Sequence, residues 1–152
     1  MKKLILPLLF ILILPSCGLT EKAEILPDFS VNGYFTVKYM QSEYGAEIKT
    51  DENGNLTADI QSPENLKGIS IVCTQDGVTA KCGELEISST DGYYPFSELH
   101  KALSSARISE PVSVTEKEDG FVFSYPDGCA FTTDESGTIK YISTPMCEYI
   151  KR

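Results

Sequence analysis

Alternation of apolar and polar residues constrains the fold of this chain more than any other feature. Between Val31 and Tyr39 the odd positions are apolar or glycine, and the even positions are mostly polar. The same period of two returns after most of the later Asn-Gly, Asp-Gly and Ser-Gly turn pairs, as expected for half-buried antiparallel strands. At Gly83 the apolar residues change from even-numbered to odd-numbered positions, which predicts a β-bulge. The sequence therefore predicts a mainly β (α+β) domain with about nine or ten short antiparallel strands.

The period changes between Tyr94 and Ala106, where apolar residues recur at the spacing of one helix face. Pro95 suits the first turn of a helix, and Ser97 is a candidate N-cap. We expect one helix over residues 95–106, packed on the sheet. Its apolar positions are Phe96, Leu99, Ala102, Leu103 and Ala106.

The length of the chain indicates its domain organisation, and its net charge limits the kinds of molecule that it can bind. A chain of 152 residues is long enough for one domain with a substantial core. Its formal net charge of −9 disfavours binding to the phosphate backbone of a nucleic acid. The sequence also lacks a cluster of basic residues that could dock on anionic lipids. We therefore expect no nucleic-acid partner.

Sequence motifs give no support for an enzyme. No G-x-S-x-G, H-E-x-x-H or glycine-rich phosphate loop is present, and His100 is the only histidine. We interpret His100 as helix-flank structure, and Glu84 and Glu86 as a solvated strand face. Residues 51–59 resemble a calcium loop only superficially, because the glycine occupies the fourth position rather than the sixth. We predict a non-enzymatic protein without a metal or cofactor.

The N-terminus has the organisation of a signal peptide. Lys2 and Lys3 precede an apolar run over residues 4–14. That run is too short to span a bilayer, which takes about 20 apolar residues. It leads into the sequence Leu14-Pro15-Ser16-Cys17.

This tetrapeptide resembles the lipobox of bacterial lipoproteins. In that family the cysteine sulfur receives diacylglycerol, the leader is removed before the cysteine, and the new amine can receive a further acyl chain such as palmitate. The resemblance implies a signal peptide at 1–16 and a lipidated Cys17 with a tether to residue 28. It places the protein at the cell membrane, lipid-anchored on the extracytoplasmic face of the bacterial envelope. The alternative is an ordinary secreted protein whose cleavage site falls beside a cysteine.

A second resemblance concerns residues 56–87, LTADIQSPENLKGISIVCTQDGVTAKCGELEI. An alternating strand, the pattern P-x-x-L-K-G and a hairpin are similar to the LolA, LolB and RseB type of lipoprotein-carrier superfamily. The resemblance implies a curved sheet or half-barrel over residues 29–152, with the helix on its concave face. In that family the concavity shelters acyl chains. Carriers hold a lid helix with an arginine from the sheet, whereas Arg107 lies at the helix end.

Aromatic residues in the predicted strands indicate a binding groove. One helix is too small to fill a wide concavity, so part of the apolar face is expected to stay open. An apolar or amphiphilic ligand, such as a lipid, would bind there. Alternatively, helix and loops fill the concavity as core, and the chain is an anchored interaction or structural domain that contacts another envelope protein. The groove candidates are Phe35, Val37, Ile71, Leu99, Leu103, Phe121 and Phe123.

Four cysteines follow Cys17, and an exported chain can oxidise them in three pairings. If Asp76-Gly77 forms a two-residue turn, Cys73 faces Ala80 and has Cys82 as a diagonal neighbour. A Cys73–Cys82 bond is then possible with a small change of register, which leaves Cys129 and Cys147 to pair. Buried free thiols are the alternative. Metal binding is disfavoured because no cysteine pair has the close spacing of a zinc site.

Overall fold

The computed structural model describes residues 25–90, 92 and 94–152. Over these residues the protein is one open antiparallel sheet of eleven strands with a single α-helix. A short 3-10 turn, Glu64–Leu66, separates the third and fourth strands, and the helix follows the sixth. The elements are β1 (Asn32–Tyr39), β2 (Ser42–Thr50), β3 (Leu56–Ser62), β4 (Ile69–Thr74), β5 (Gly77–Cys82), β6 (Leu85–Ser89), α1 (Phe96–Ile108), β7 (Ser113–Lys117), β8 (Gly120–Ser124), β9 (Ala130–Thr133), β10 (Ile139–Ser143) and β11 (Cys147–Lys151).

The sheet consists of two meanders joined in the middle. The strands lie in the order β6-β5-β4-β3-β2-β1-β11-β10-β9-β8-β7. The chain runs outward from β1 to β6 at one edge, passes through α1, and resumes with β7 at the opposite edge. From there it returns to β11, which pairs with β1 from Phe35↔Lys151 to Tyr39↔Cys147. The predicted mainly β, antiparallel class with one helix is confirmed.

Helix α1 packs on one surface of the sheet, which we call the helix face; the opposite surface is the outer face. The carbonyl of Pro95 accepts hydrogen bonds from the backbone N–H groups of Glu98 (3.1 Å) and Leu99 (3.2 Å) at the start of the helix. Ser97 is not the N-cap, because its side chain is buried and no capping hydrogen bond forms. The Tyr149 hydroxyl donates to the Pro95 carbonyl at 2.8 Å and so fixes the helix start to β11.

The alternation in the sequence places the core on the helix face. In the central strands the side chains that point toward α1 are almost wholly buried, and so is the apolar side of the helix. Burial of each large aliphatic or aromatic side chain stabilises the fold by about 1.5–3 kcal/mol. The largest fully buried side chains include Tyr149, Phe35, Phe123, Phe131, Ile48, Leu56, Leu99 and Leu103.

The strand count exceeds the prediction for two reasons. Gly83 does not form a bulge; it takes φ 59° at the first position of a two-residue turn between β5 and β6, where Cys82 pairs with Leu85. Glycine at that position is typical of a type II′ hairpin turn. In addition, β11 lies beyond the last strand predicted from the sequence, although it occupies the middle of the sheet.

The possible Cys73–Cys82 pairing does not form, and the alternative of free thiols describes all four cysteines. Cys73 pairs with Val78, and Cys82 pairs with Ile69, because the hairpin closes at Thr74↔Gly77. Four residues along the strand separate the two cysteines by about 13 Å, beyond the roughly 7 Å that a disulfide allows. Cys129 and Cys147 are free thiols as well. Three of the four are buried, and Cys82 is exposed.

Candidate functional site

Residues 25–29 cross the helix face beyond the end of α1, and we call them the strap. The Asp28 backbone N–H donates to the Gly137 carbonyl at 2.9 Å, and Pro27 is buried. The Phe29 ring meets Phe131 and Tyr125 edge-to-face, with centroid distances of 5.4 and 6.4 Å. The strap is therefore docked on the domain by backbone and aromatic contacts together.

A cleft of about 970 Å³ lies between the strap, the C-terminal end of α1 and the β7–β8 hairpin. Phe121, Phe123 and Tyr125 form part of its lining from the sheet, and Pro111 and Val114 contribute from the edge side. Its volume falls at the upper end of the range for small-molecule sites, roughly 300–1,000 Å³. Most of the lining residues are apolar, with polar side chains confined to a few positions.

The cleft exists because the helix is short compared with the sheet. A helix of 13 residues is about 20 Å long. Eleven strands at about 4.8 Å spacing span roughly 50 Å, so one such helix cannot cover the face. All five residues of β7 are exposed, which places this strand outside the cover of α1.

The predicted groove residues divide between two environments. Phe35, Val37, Ile71, Leu99 and Leu103 are at most 5% exposed and lie in the core formed with α1. They do not line a groove, because the helix fills the centre of the sheet, which was the alternative left open by the sequence. Phe121 and Phe123 do line the cleft, although Phe123 is only 1% exposed and also belongs to the core.

Several cleft residues were missing from the sequence-based set. Phe29 is the first residue of the predicted domain and not one of the predicted groove residues, and Val114 is also absent from that set. Pro111 was an available signal, because it separates the helix from the edge strand and forces an extended turn in the chain. No local feature of the sequence indicates that the strap returns to this end of the sheet.

The polar lining of the cleft carries mixed charge. Arg107 donates from Nη2 to the Phe29 carbonyl at 3.0 Å and so links the helix end to the strap. Glu110 and Glu116 contribute two carboxylates to the same lining. Burial raises the pKa of Tyr125, and the Asp127 carboxylate adds to this, so the phenol remains a hydrogen-bond donor at neutral pH.

His100 does not belong to the cleft lining. Burial lowers its pKa, a hydrogen bond with the Gly54 backbone opposes that shift, and the positive charge of Arg107 adds to it. The imidazole is therefore mostly neutral at pH 7 and contacts the turn between β2 and β3. Within residues 25–90, 92 and 94–152, no group of three or more His, Cys, Asp or Glu side chains is placed to hold a metal ion.

No helix in the described part of the chain is long and apolar enough to cross a membrane. No protein-family model matches the sequence, and a comparison with curated proteins gives no significant match. Function therefore has to be inferred from the cleft and from the N-terminal sequence.

Proposed function

We propose that this protein is a bacterial lipoprotein, anchored through Cys17 on the extracytoplasmic face of the cell membrane, that binds an apolar or amphiphilic ligand without enzymatic turnover. The observation that carries the binding function is the apolar cleft of about 970 Å³ between the strap and the β7–β8 hairpin. The lipobox, which lies outside the described residues, carries the location.

The apolar lining provides the driving force for binding. Transfer of one methylene group out of water contributes about 0.8 kcal/mol, so ten methylenes in the cleft contribute roughly 8 kcal/mol. A net free energy of that size corresponds to a dissociation constant of about 1 μM. Losses of translational and chain freedom reduce it. An acyl chain in the cleft is therefore expected to bind reversibly rather than permanently.

The charges of the lining indicate the polar part of the ligand. One guanidinium and two carboxylates face the same space, and the whole chain carries a net charge of −9. A strongly anionic head group would meet repulsion from the two carboxylates and from the protein as a whole. We expect a neutral or zwitterionic amphiphile, with any anionic group close to Arg107.

We further propose that the sheet takes the half-barrel form of the LolA, LolB and RseB type, in which the concavity shelters acyl chains. In that arrangement the outer strands bend toward the helix and enclose the acyl chains between them. Here the curvature would bring the β7–β8 hairpin and α1 onto two sides of the ligand, while the strap closes a third side. The lipid on Cys17 would keep this cleft within reach of membrane-derived ligands.

The anchor is tested by location and mass. The full-length protein, expressed with its leader in a bacterial host, is expected to partition with membranes, take up labelled palmitate and carry the added mass on Cys17. A Cys17→Ser variant should lose the label and leave the membrane fraction. A processed wild-type protein with an unmodified thiol at Cys17 would contradict the proposal.

The cleft is tested by filling it. Val114 is 53% exposed, so Val114→Trp adds bulk to the lining without disturbing the core. We expect at least a tenfold loss of affinity for a fluorescent monoacylglycerol, because the indole occupies the acyl site. Val112→Trp is the matched control, since Val112 is exposed on the same segment but does not line the cleft.

Two outcomes would contradict the binding function. Either the full-length wild-type protein fails to bind the monoacylglycerol, or both tryptophan variants bind it as the wild type does. A fluorescent fatty acid of the same chain length tests the charge argument and should bind more weakly than the monoacylglycerol. Absence of all binding would favour an anchored protein-interaction domain.

A further inference from the structure

The edge strands of the sheet, β6 and β7, differ in how they are protected against pairing with a strand of another molecule. No strand among the described residues pairs with the outer edge of β6 or of β7. On β7 the helix face carries Val114 and the charged Glu116, and a charge on that face is a common device against edge-to-edge pairing. On β6 the same face carries Leu85 and Ile87, which are 74% and 63% exposed.

The backbone of β6 offers a regular row of hydrogen-bonding groups. The two-residue turn closes on the pair Cys82–Leu85, and Ala80 pairs with Ile87. In an antiparallel ladder closed by such a turn, Leu85 and Ile87 direct their backbone groups toward β5. The intervening residue Glu86 and the next residue Ser88 direct their backbone N–H and C=O groups toward the outer edge of the sheet.

We propose that β6 is a homodimer interface, in which a second copy of this chain adds its own β6 antiparallel across a two-fold axis at Ile87. Ile87 of one copy then faces Ile87 of the other, and the backbone of Glu86 pairs with that of Ser88. Leu85 faces Ser89 across the junction. The two sheets become continuous, and the exposed apolar residues of both copies meet on one face.

Avoidance of like-charge contacts and retention of the apolar contact select this register. A two-fold axis at Glu86 would set two carboxylates directly opposite each other, which is destabilising. An axis at Ser88 would place Ile87 against Ser89 and lose the apolar contact. With the axis at Ile87, each Glu86 faces a serine and keeps its ion pair with Lys81 of its own chain at 3.0 Å.

The paired edge is only five residues long in each copy. Its contact area is small compared with that of permanent dimers, so the association is expected to be weak and dependent on concentration. The proposal is independent of the cleft, which lies at the opposite edge of the sheet, and of the lipid anchor.

Disulfide trapping tests the register directly. In the full-length chain with Cys82→Ser, an added Ile87→Cys places two thiols opposite each other at the two-fold axis, with Cα atoms about 4.5–5.5 Å apart. The matched control, Leu85→Cys in the same background, leaves its two thiols about 13 Å apart. Under mild oxidation we expect Ile87→Cys to form covalent dimers at least tenfold faster than the control.

A second pair of variants tests the interface independently, in case a cysteine variant fails to fold. Ile87→Lys sets two ammonium groups against each other, and Ile87→Val keeps an apolar contact. Sedimentation of the full-length protein in mild detergent should show self-association for wild type and Ile87→Val, and its loss for Ile87→Lys. Equal cross-linking of the two cysteine variants, cross-linking to a different protein, or a strictly monomeric wild type up to roughly 1 mM would each overturn the proposal.

Discussion

The centre of the sheet and its β7–β9 wing carry the same alternating pattern, yet the wing is only partly covered. Under α1, Phe35 and Leu99 are 1% and 0% exposed. In the wing, Val114 stays half exposed and Phe121 lines an open cleft. The difference is the covering element, since a helix fills the centre with side chains, whereas the strap crosses the wing as a single extended segment. Equal strand patterns thus produce a closed core in one region and an open cleft in the other.

The β5–β6 side of the sheet extends the comparison. It has neither helix nor strap over Leu85 and Ile87, and both remain exposed. The three zones therefore form a series in which cover decreases from the centre through the wing to the β6 edge. We assign stability, ligand binding and self-association to them in that order.

The largest expected contrast is the reactivity of two thiols on neighbouring strands. Cys73 is fully buried beneath the helix, and burial raises its pKa to about 12. Cys82 lies on the neighbouring strand, four residue pairs along the ladder, and is exposed. At pH 8 we expect a maleimide to modify Cys82 at least about 1,000-fold faster, because Cys73 reacts only through rare opening of the fold. Peptide mapping of the native full-length protein measures both rates, and comparable rates would remove the distinction between centre and edge.

The next contrast is in stability. Leu99→Ala removes a wholly buried side chain and should lower the free energy of unfolding by about 2–5 kcal/mol. Val114→Ala, in the cleft lining, should change it by no more than about 0.5 kcal/mol. Denaturant unfolding of both variants gives the comparison. A cost at Val114 as large as that at Leu99 would mean that the cleft is closed in solution.

The smallest contrast concerns the turn between β9 and β10, whose Gly137 carbonyl accepts a hydrogen bond from the strap. Asp134 accepts hydrogen bonds from the Ser136 hydroxyl (2.6 Å) and the Thr138 backbone (3.0 Å), and Lys140 pairs with it at 3.0 Å. The Ser136 bond and then Lys140 hold the pKa of Asp134 well below its usual range. Because the folded-state pKa is the lower one, the stabilisation is complete above the unfolded value of about 3.9 and is lost as the pH falls below it.

Asp134→Asn should therefore lower the thermal midpoint at pH 7, and the gap from wild type should narrow between about pH 4 and pH 2. Glu135→Gln, on the adjacent exposed residue, is the control and should leave the midpoint nearly unchanged. A gap that stayed constant over this range would show that the carboxylate charge does not support the turn.

Local periodicity accounts for the parts of the fold that could be predicted. The first four strands and the helix follow from spacing alone, because each presents a continuous apolar side to one surface. β11 was missed since Tyr149 and Ile150 are adjacent large apolar residues on opposite faces, which obscures the alternation. The turn at Gly83 was misread as a bulge because Gly-Glu is a weaker turn signal than the Asn-Gly or Asp-Gly pairs that mark hairpins most strongly.

The site was harder to predict than the fold. Leu99 and Phe121 are both apolar residues in regular elements, and nothing in their spacing separates a core position from a cleft position. That distinction depends on where α1 lies on the sheet, which is set by the crossing from the β6 edge to the β7 edge. It also depends on the strap, whose docking on Phe131 and Gly137 is a long-range contact without a local signal.

The seam between β1 and β11 has a consequence for synthesis and export. Arg152 donates from Nε to the Thr36 hydroxyl at 2.9 Å, across 116 residues of chain. A nascent chain leaving the ribosome can form its early hairpins, but the two meanders cannot join until the segment that becomes β11 has been made. Completion of the sheet is thereby delayed until translation has passed residue 151, which is compatible with the export that we propose.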